Sequence, residues 1–300
     1  MSLRLRLVLV AMRCLARPLL ARTRDPVRAR RDFNLLTRLL REPPYLLHLV
    51  DHGAVPLHWV SVRRRRDDWV ILYLHGGGYV AGSPLTHIGL AGRIARLTGL
   101  QVVLPEYRLA PEHPAPAAFD DATAAHAALL AKGWPADRII LGGDSAGGGL
   151  ALALLADLCA RGVAPAGVFA FSPWTDLAMT GASLQGNAAV EPLLPVARMT
   201  DLVGMVLGVV DARDPRVSPL YARFDHPPPV MVQVGSTEIL RDDSLRMAEV
   251  LRRAGGVVTL DIWPDCPHVW PMLDGYLPEA RAALLEVAGF VGRLVAVKAG

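Results

Sequence analysis

Ser145 is the side chain in this sequence best placed to act as a nucleophile. It stands at the centre of Gly143-Asp144-Ser145-Ala146-Gly147. The run Arg138 to Leu141 before it reads as a short buried strand, and Leu150 to Leu155 after it reads as a helix. In so sharp a turn, Gly143 and Gly147 admit close backbone approach while the serine oxygen is pushed outward. The first N–H groups of the following helix are unpaired and carry its positive dipole end, so an oxyanion beside Ser145 would be stabilised. A five-residue motif is weak by itself, and the chemistry needs a base, an acid and an array of donors. The donors are offered at His75-Gly76-Gly77-Gly78, where successive glycines leave backbone N–H groups unshielded. Gly76 and Gly77, with the Ala146 N–H, could hold the oxygen of a tetrahedral acyl intermediate. A phosphate loop would need Gly-Lys-Ser/Thr after its glycines, and Tyr79-Val80 follows instead.

His268 is the candidate base, in the loop Pro264 to Trp270 beyond the strand signal Val257 to Trp263. His48, His52, His58, His87, His126 and His226 occupy no comparable context. One carboxylate among Glu238, Asp242 and Asp243 should orient the imidazole. Glu238 lies closest to the end of the strand Pro229 to Val234, and open α/β sheets gather chemistry beyond strand ends. Asp242 and Asp243 fit a helix N-cap better. Cys266 lies near the base but lacks the turn that would make it a nucleophile.

These residues must be positioned by a large core. The 300 residues are 52% hydrophobic, with Lys+Arg exceeding Asp+Glu by 32 to 28, and one α/β domain is expected. Only Lys132 and Lys298 are lysines, and the scattered arginines argue against nucleic acid. The exception, Arg63 to Arg66, reads as a solvated hairpin turn between the strands of residues 55–62 and 69–74. Three widely spaced cysteines show neither a disulfide framework nor metal-ligand spacing, so no metal and no cofactor is expected, and a reducing, cytoplasmic compartment is. Residues 1–41 read as two helices, the first ended or kinked at Pro18 and the second running from Pro26 to Leu40. Arginines interrupt this terminus, so it cannot span a membrane, and the apolar core Leu7 to Met12 is short for a signal peptide. It reads as a lid helix that can also rest on an anionic membrane surface. The lid is expected from residues 1–45 and 181–212, with Val196 to Val210 its main helix, on a core of residues 46–180 and 213–300. Asp120 or Asp121 would cap a helix from Ala122 to Lys132.

The order Ser145, Glu238, His268 is the order of nucleophile, acid and base in α/β-hydrolases. Tyr107-Arg108-Leu109-Ala110-Pro111-Glu112-His113-Pro114-Ala115-Pro116 resembles the YRLAPEHPFPA signature of their hormone-sensitive-lipase-like branch, also called bacterial esterase family IV, with Ala115 in place of the aromatic residue. His75 to Gly78 resembles that family's HGGG, and Gly143 to Gly147 matches its GDSAG. The resemblance spans about residues 50 to 290. It implies an α/β-hydrolase fold, a mostly parallel eight-stranded sheet flanked by helices with a helical lid. It also implies hydrolysis of short- to medium-chain carboxylic esters through an acyl-enzyme, without cofactor. Glu238 opens a D-x-L-x-D pattern as glutamate where aspartate is commoner. The resemblance makes His113 structural, with Arg108 and Glu112 an internal ion pair, while Trp174 is equally a pocket or a core residue. A ligand-binding protein on the same fold, as in plant gibberellin receptors, is the rival, although those lack the histidine. An amidase or a lactonase would use the same three residues. A small ester is the expected partner, and the final strand, as a sheet edge, could pair two copies into a homodimer.

Overall fold

The computed structural model describes residues 1–23, 25–38, 40 and 43–297. Leu39, within the expected second helix, and residues 41 and 42 of the expected lid segment lie outside the described residues. Eight strands form one sheet: β1 (Leu47–Asp51), β2 (Leu57–Ser61), β3 (Arg66–Leu74), β4 (Leu100–Pro105), β5 (Ile139–Asp144), β6 (Gly167–Phe171), β7 (Val230–Gly235) and β8 (Val258–Trp263). Their spatial order is β1-β2-β4-β3-β5-β6-β7-β8. β1 pairs antiparallel with β2 and β2 antiparallel with β4, whereas every other pairing is parallel.

The central strands are buried on both faces and therefore read as unbroken apolar runs. In β3, Val70, Leu72 and Leu74 join one core cluster while Trp69, Ile71 and Tyr73 join the other, as the two-residue period of a strand requires. Helices α4 (Pro84–Thr98) and α10 (Pro278–Val297) cover the second cluster. Helices α5 (Ala117–Ala131), α6 (Ser145–Ala160) and α9 (Arg241–Arg253) cover the first. The run Leu150 to Leu155 of α6 is buried throughout, so this helix is apolar around its circumference.

The remaining helices are α1 (Leu3–Ala11), α2 (Arg17–Arg22), α3 (Pro26–Thr37), the single turn α7 (Ser183–Gly186) and α8 (Val196–Leu207). Pro18 does not end the first helix. The backbone bond that proline cannot make falls where the chain widens into a π turn, Met12–Ala16, and helix resumes to Arg22.

Several local expectations change in three dimensions. Residues 63–66 are solvated but do not form a hairpin turn, because β4 lies between β2 and β3. Periodicity identifies strands without naming their neighbours. β1 is an edge strand whose Leu47 and Leu49 are 48% and 71% exposed, so its apolar residues mark no buried face. Arg108 does not pair with Glu112: its guanidinium grips Asp121 in a two-pronged contact, at 2.8 Å from Nη2, while Glu112 is held by Arg30 of α3. Asp121 is therefore not a cap, and α5 begins earlier than expected, at Ala117, with Asp120 in its first turn. Asp242 and Asp243 are not N-caps either. Asp242 accepts from Ser183 N–H at 2.9 Å, and buried Asp243 accepts from the N–H groups of Thr175 and Asp176 at 2.8 and 2.9 Å.

Candidate active site

The end of β5 and the start of α6 meet at Ser145, a non-glycine residue at φ 52°. That left-handed conformation is uncommon for a side chain and persists only where its surroundings enforce it. They do so here. A Cβ on Gly147 would run into the carbonyls of Leu74 and His75, and one on Gly143 into the carbonyl of Gly147. The elbow is thus packed backbone against backbone, and Ser145 is the one partly exposed residue between Ile139 and Leu150.

His268 reaches this serine from the loop after β8. Its Nε2 lies 2.8 Å from Ser145 Oγ, and its Nδ1 lies 2.7 Å from Glu238 Oε2. A carboxylate can only accept, so Nδ1 carries the proton and Nε2 presents a lone pair to the serine hydroxyl. Burial by itself would lower the His268 pKa. The hydrogen bond and charge of Glu238, with Glu191 and Asp144 behind, outweigh burial and hold it above the ordinary imidazole value.

Glu238 is fully buried after β7, and its second oxygen accepts from Ser172 Oγ at 2.7 Å and Gly235 N–H at 2.6 Å. Ser172 Oγ also accepts from Val269 N–H at 3.2 Å, tying the acid to the loop of the base. Ser172 was not singled out in the sequence, where nothing distinguishes it from any serine after a strand. The segment after β6 adds a clamp. Asn187 Nδ2 donates to the carbonyl of Glu238 at 2.8 Å, and Ser183 Oγ donates to that of Ile239 at 2.7 Å. Glu191 accepts from Ile239 N–H at 3.0 Å and, through its other oxygen, from Leu193 and Leu194 N–H. Burial and the nearby Glu238 charge push the Glu191 carboxyl above its ordinary value.

The glycine loop after β3 divides its donors. Gly76 is buried and its N–H donates to Asp144 Oδ1 at 3.1 Å, so it does not face the serine as a free donor, contrary to expectation. Among the described residues the N–H groups of Gly77 and Gly78 have no backbone or side-chain acceptor, and both glycines are partly exposed. Gly77 (φ 122°) and Gly78 (φ 63°) adopt backbone conformations that favour glycine. Local composition treats the three glycines alike and so cannot tell a donor spent on Asp144 from one left open.

Asp144, also missed, is the hub beneath this loop. Its Oδ1 accepts from Tyr73 Oη at 2.9 Å as well as from Gly76, and His87 Nε2 stands 3.3 Å away. Burial alone would raise the Asp144 pKa, but His87 and Tyr73 leave it below the ordinary carboxylate value. His87 is thus the one competing histidine drawn to the site. His75 stacks on Tyr107 with centroids 4.1 Å apart, and Tyr107 Oη donates to the His75 carbonyl at 2.6 Å. Burial, with His87 beside it, pushes the His75 imidazole down to about 3, so it is neutral at physiological pH.

Trp174 is a core residue, 2% exposed, and its N–H donates to the carbonyl of Ser145 at 2.9 Å. His113 is exposed beyond the site. Burial pushes the Cys266 thiol up to about 12, which leaves it protonated and a poor nucleophile. Among the described residues no group of three His, Cys, Asp or Glu could hold a metal ion, and no helix is long and apolar enough to cross a membrane.

A family model described as the α/β hydrolase fold matches residues 71–272. An acetyl-hydrolase of Streptomyces hygroscopicus is 41% identical over 242 residues, 80% of each chain. An esterase of Acinetobacter venetianus is 38% identical over 227 residues, 75% of each chain. The crystal structure of an esterase from the bacterial hormone-sensitive lipase family superposes with a TM-score of 0.92 at 37% identity, covering 98% of this chain and 99% of that one.

Proposed function

The chain belongs to the α/β-hydrolase family, in its hormone-sensitive-lipase-like branch, and is a carboxylic ester hydrolase; from that premise we propose an acyl-enzyme mechanism run by Ser145, His268 and Glu238. Ser145 Oγ attacks the ester carbonyl as its proton passes to His268 Nε2, forming the C–O bond of a tetrahedral intermediate. The imidazolium then gives that proton to the departing alkoxy oxygen, the C–O bond to the alcohol breaks, and acyl-Ser145 remains. Water attacks the acyl carbon with His268 again taking the proton, and collapse returns it to Ser145 as the carboxylic acid leaves. Glu238 keeps the proton on Nδ1 and stabilises the imidazolium between these steps. The N–H groups of Gly77 and Ala146 receive the oxyanion, with Gly78 as third donor in place of Gly76.

The observation that carries this reading is the continuous relay from Ser145 to His268 to Glu238, at 2.8 and 2.7 Å, ending at a partly exposed hydroxyl. Residues 1–45 and 181–212 act as the lid on a core of residues 46–180 and 213–300. Leu202 of α8 lies against Gly78, and Arg30 of α3 donates to the carbonyls of Val80 and Ala110 at 2.8 Å each. The closeness of Leu202 to the glycine loop and the similarity to a relative named an acetyl-hydrolase both support a preference for short to medium acyl groups.

The test is hydrolysis of p-nitrophenyl acyl esters by the purified protein, in a series from acetyl to palmitoyl. Activity should peak at short to medium chains and vanish in Ser145→Ala. A fluorophosphonate should add its mass at Ser145 and nowhere else. Turnover surviving Ser145→Ala would end the mechanism, and a maximum at palmitoyl would end the proposed acyl range.

A further inference from the structure

We infer that α1 is a docking element for an anionic lipid surface. Leu5 and Leu9 of this helix are buried against Cys266, Trp270, Leu277, Ala280 and Ala283. At 100° per residue, Leu3, Leu7 and Val10 fall within an arc of about 60° on the opposite side. They are 72%, 63% and 59% exposed. The helix is therefore apolar on two faces, one spent on the core and one offered outward. Arg4 and Arg6, both exposed, flank the outward stripe on either side. The stripe continues into exposed Cys14 and Leu15 of the π turn.

Charge selects the occupant. Residues 1–23 contain Arg4, Arg6, Arg13, Arg17 and Arg22 and no acidic residue. A second copy laid on this face would bring like charges together around the shared stripe, which is unfavourable. Nucleic acid would match the arginines and leave the aliphatic side chains without a partner. A bilayer surface rich in anionic headgroups answers both, taking the leucines to the acyl boundary and the guanidiniums to phosphate. The anchor is tied to the rest of the molecule by hydrogen bonds near both of its ends. Ser2 donates to Glu279 through N–H and Oγ at 2.7 and 3.0 Å, and Arg13 and Arg17 donate to the carbonyls of Val190 and Ala188 at 3.0 and 2.7 Å. The buried face of α1 rests on the loop that carries His268, so a docked molecule holds that loop beside the lipid. The docking stands on these contacts and does not depend on the proposed mechanism.

The experiment is co-sedimentation of the full chain with two sets of vesicles, phosphatidylcholine alone and equal parts phosphatidylcholine and phosphatidylglycerol. Binding to the anionic vesicles should exceed binding to the neutral ones about tenfold or more and should fall in high salt. Leu3→Gln/Leu7→Gln/Val10→Gln should abolish it, and Arg4→Gln/Arg6→Gln should weaken it severalfold. Both variants should keep the parent's far-ultraviolet circular dichroism and urea unfolding midpoint, which shows that they fold. Equal binding to both vesicles, no binding to either, or full binding by the triple variant would each overturn the inference. So would a dimer in lipid-free gel filtration that the triple variant converts to monomer, because the stripe would then be covered by a second copy.

Discussion

Glu238→Gln separates the charge of the proposed acid from its shape, and the surroundings of residue 238 determine the outcome. One Glu238 oxygen accepts from both Ser172 Oγ and Gly235 N–H, at 2.7 and 2.6 Å, and the other faces His268 Nδ1 at 2.7 Å. A glutamine has a single oxygen to share between these positions. If its NH2 faced Gly235 N–H, two donors would meet in a buried site, so the oxygen should stay with Ser172 and Gly235. The NH2 is then left pointing at His268 Nδ1, which can only accept from it. The proton moves to Nε2 and points at Ser145, and the base is lost without displacement of any heavy atom. Forcing the wrong tautomer costs on the order of 10⁴-fold in kcat in serine-protease triads, equivalent to about 5 kcal/mol of transition-state stabilisation. Steady-state hydrolysis of a p-nitrophenyl ester should show that fall in kcat with KM little changed, and urea unfolding should show the fold retained. Activity within tenfold of the parent would refute the reasoning, because Glu238 would then not set the protonation of His268.

The base must be neutral to act, and the His268 pKa is raised, Glu238 outweighing burial; kcat/KM should therefore fall as pH drops through a midpoint above the ordinary ~6.5, and a midpoint below about 6 would contradict the charge balance described. Glu191→Gln keeps an oxygen for Leu193 and Leu194 but sets an NH2 against Ile239 N–H. It should cost about 1.5–3 kcal/mol in urea unfolding and move the acid limb of the pH profile downward, since one of the charges holding up the His268 pKa is gone; an unmoved limb would make Glu191 purely structural. Asp144→Ala strands Tyr73 Oη and the Gly76 N–H and leaves His87 without its carboxylate neighbour. It should cost about 1–3 kcal/mol for each stranded group and, by loosening the glycine loop, on the order of 100-fold in kcat. Asp144→Asn keeps an acceptor for Gly76 and should recover most of that stability in the same unfolding assay.

Features governed by local conformation were legible in the sequence. The handover from strand to helix at Ser145 shows in the change from an apolar run to small residues and then to a second apolar run, and β5 and α6 meet there. The carboxylate after β7 and the histidine after β8 were legible as chemistry at strand ends. The three glycines after β3 announced a loop of bare amides. Local rules could not tell them apart, because what distinguishes Gly76 is a carboxylate 68 positions away.

Partner choice was decided by tertiary structure alone. Arg108 and Glu112 are close enough in sequence to suggest a pair, yet each is captured by a side chain from a helix, Asp121 of α5 and Arg30 of α3. β2 and β3 follow one another in the chain, yet β4 separates them. Glu191 reaches Ile239 across 48 residues, and Ser145 meets His268 across 123. Propensity, periodicity and turn chemistry act over a few residues and so can be read in one dimension. Hydrogen bonds and ion pairs between distant segments depend on which surfaces the buried sheet brings within about 3 Å, and only the packed fold sets that distance.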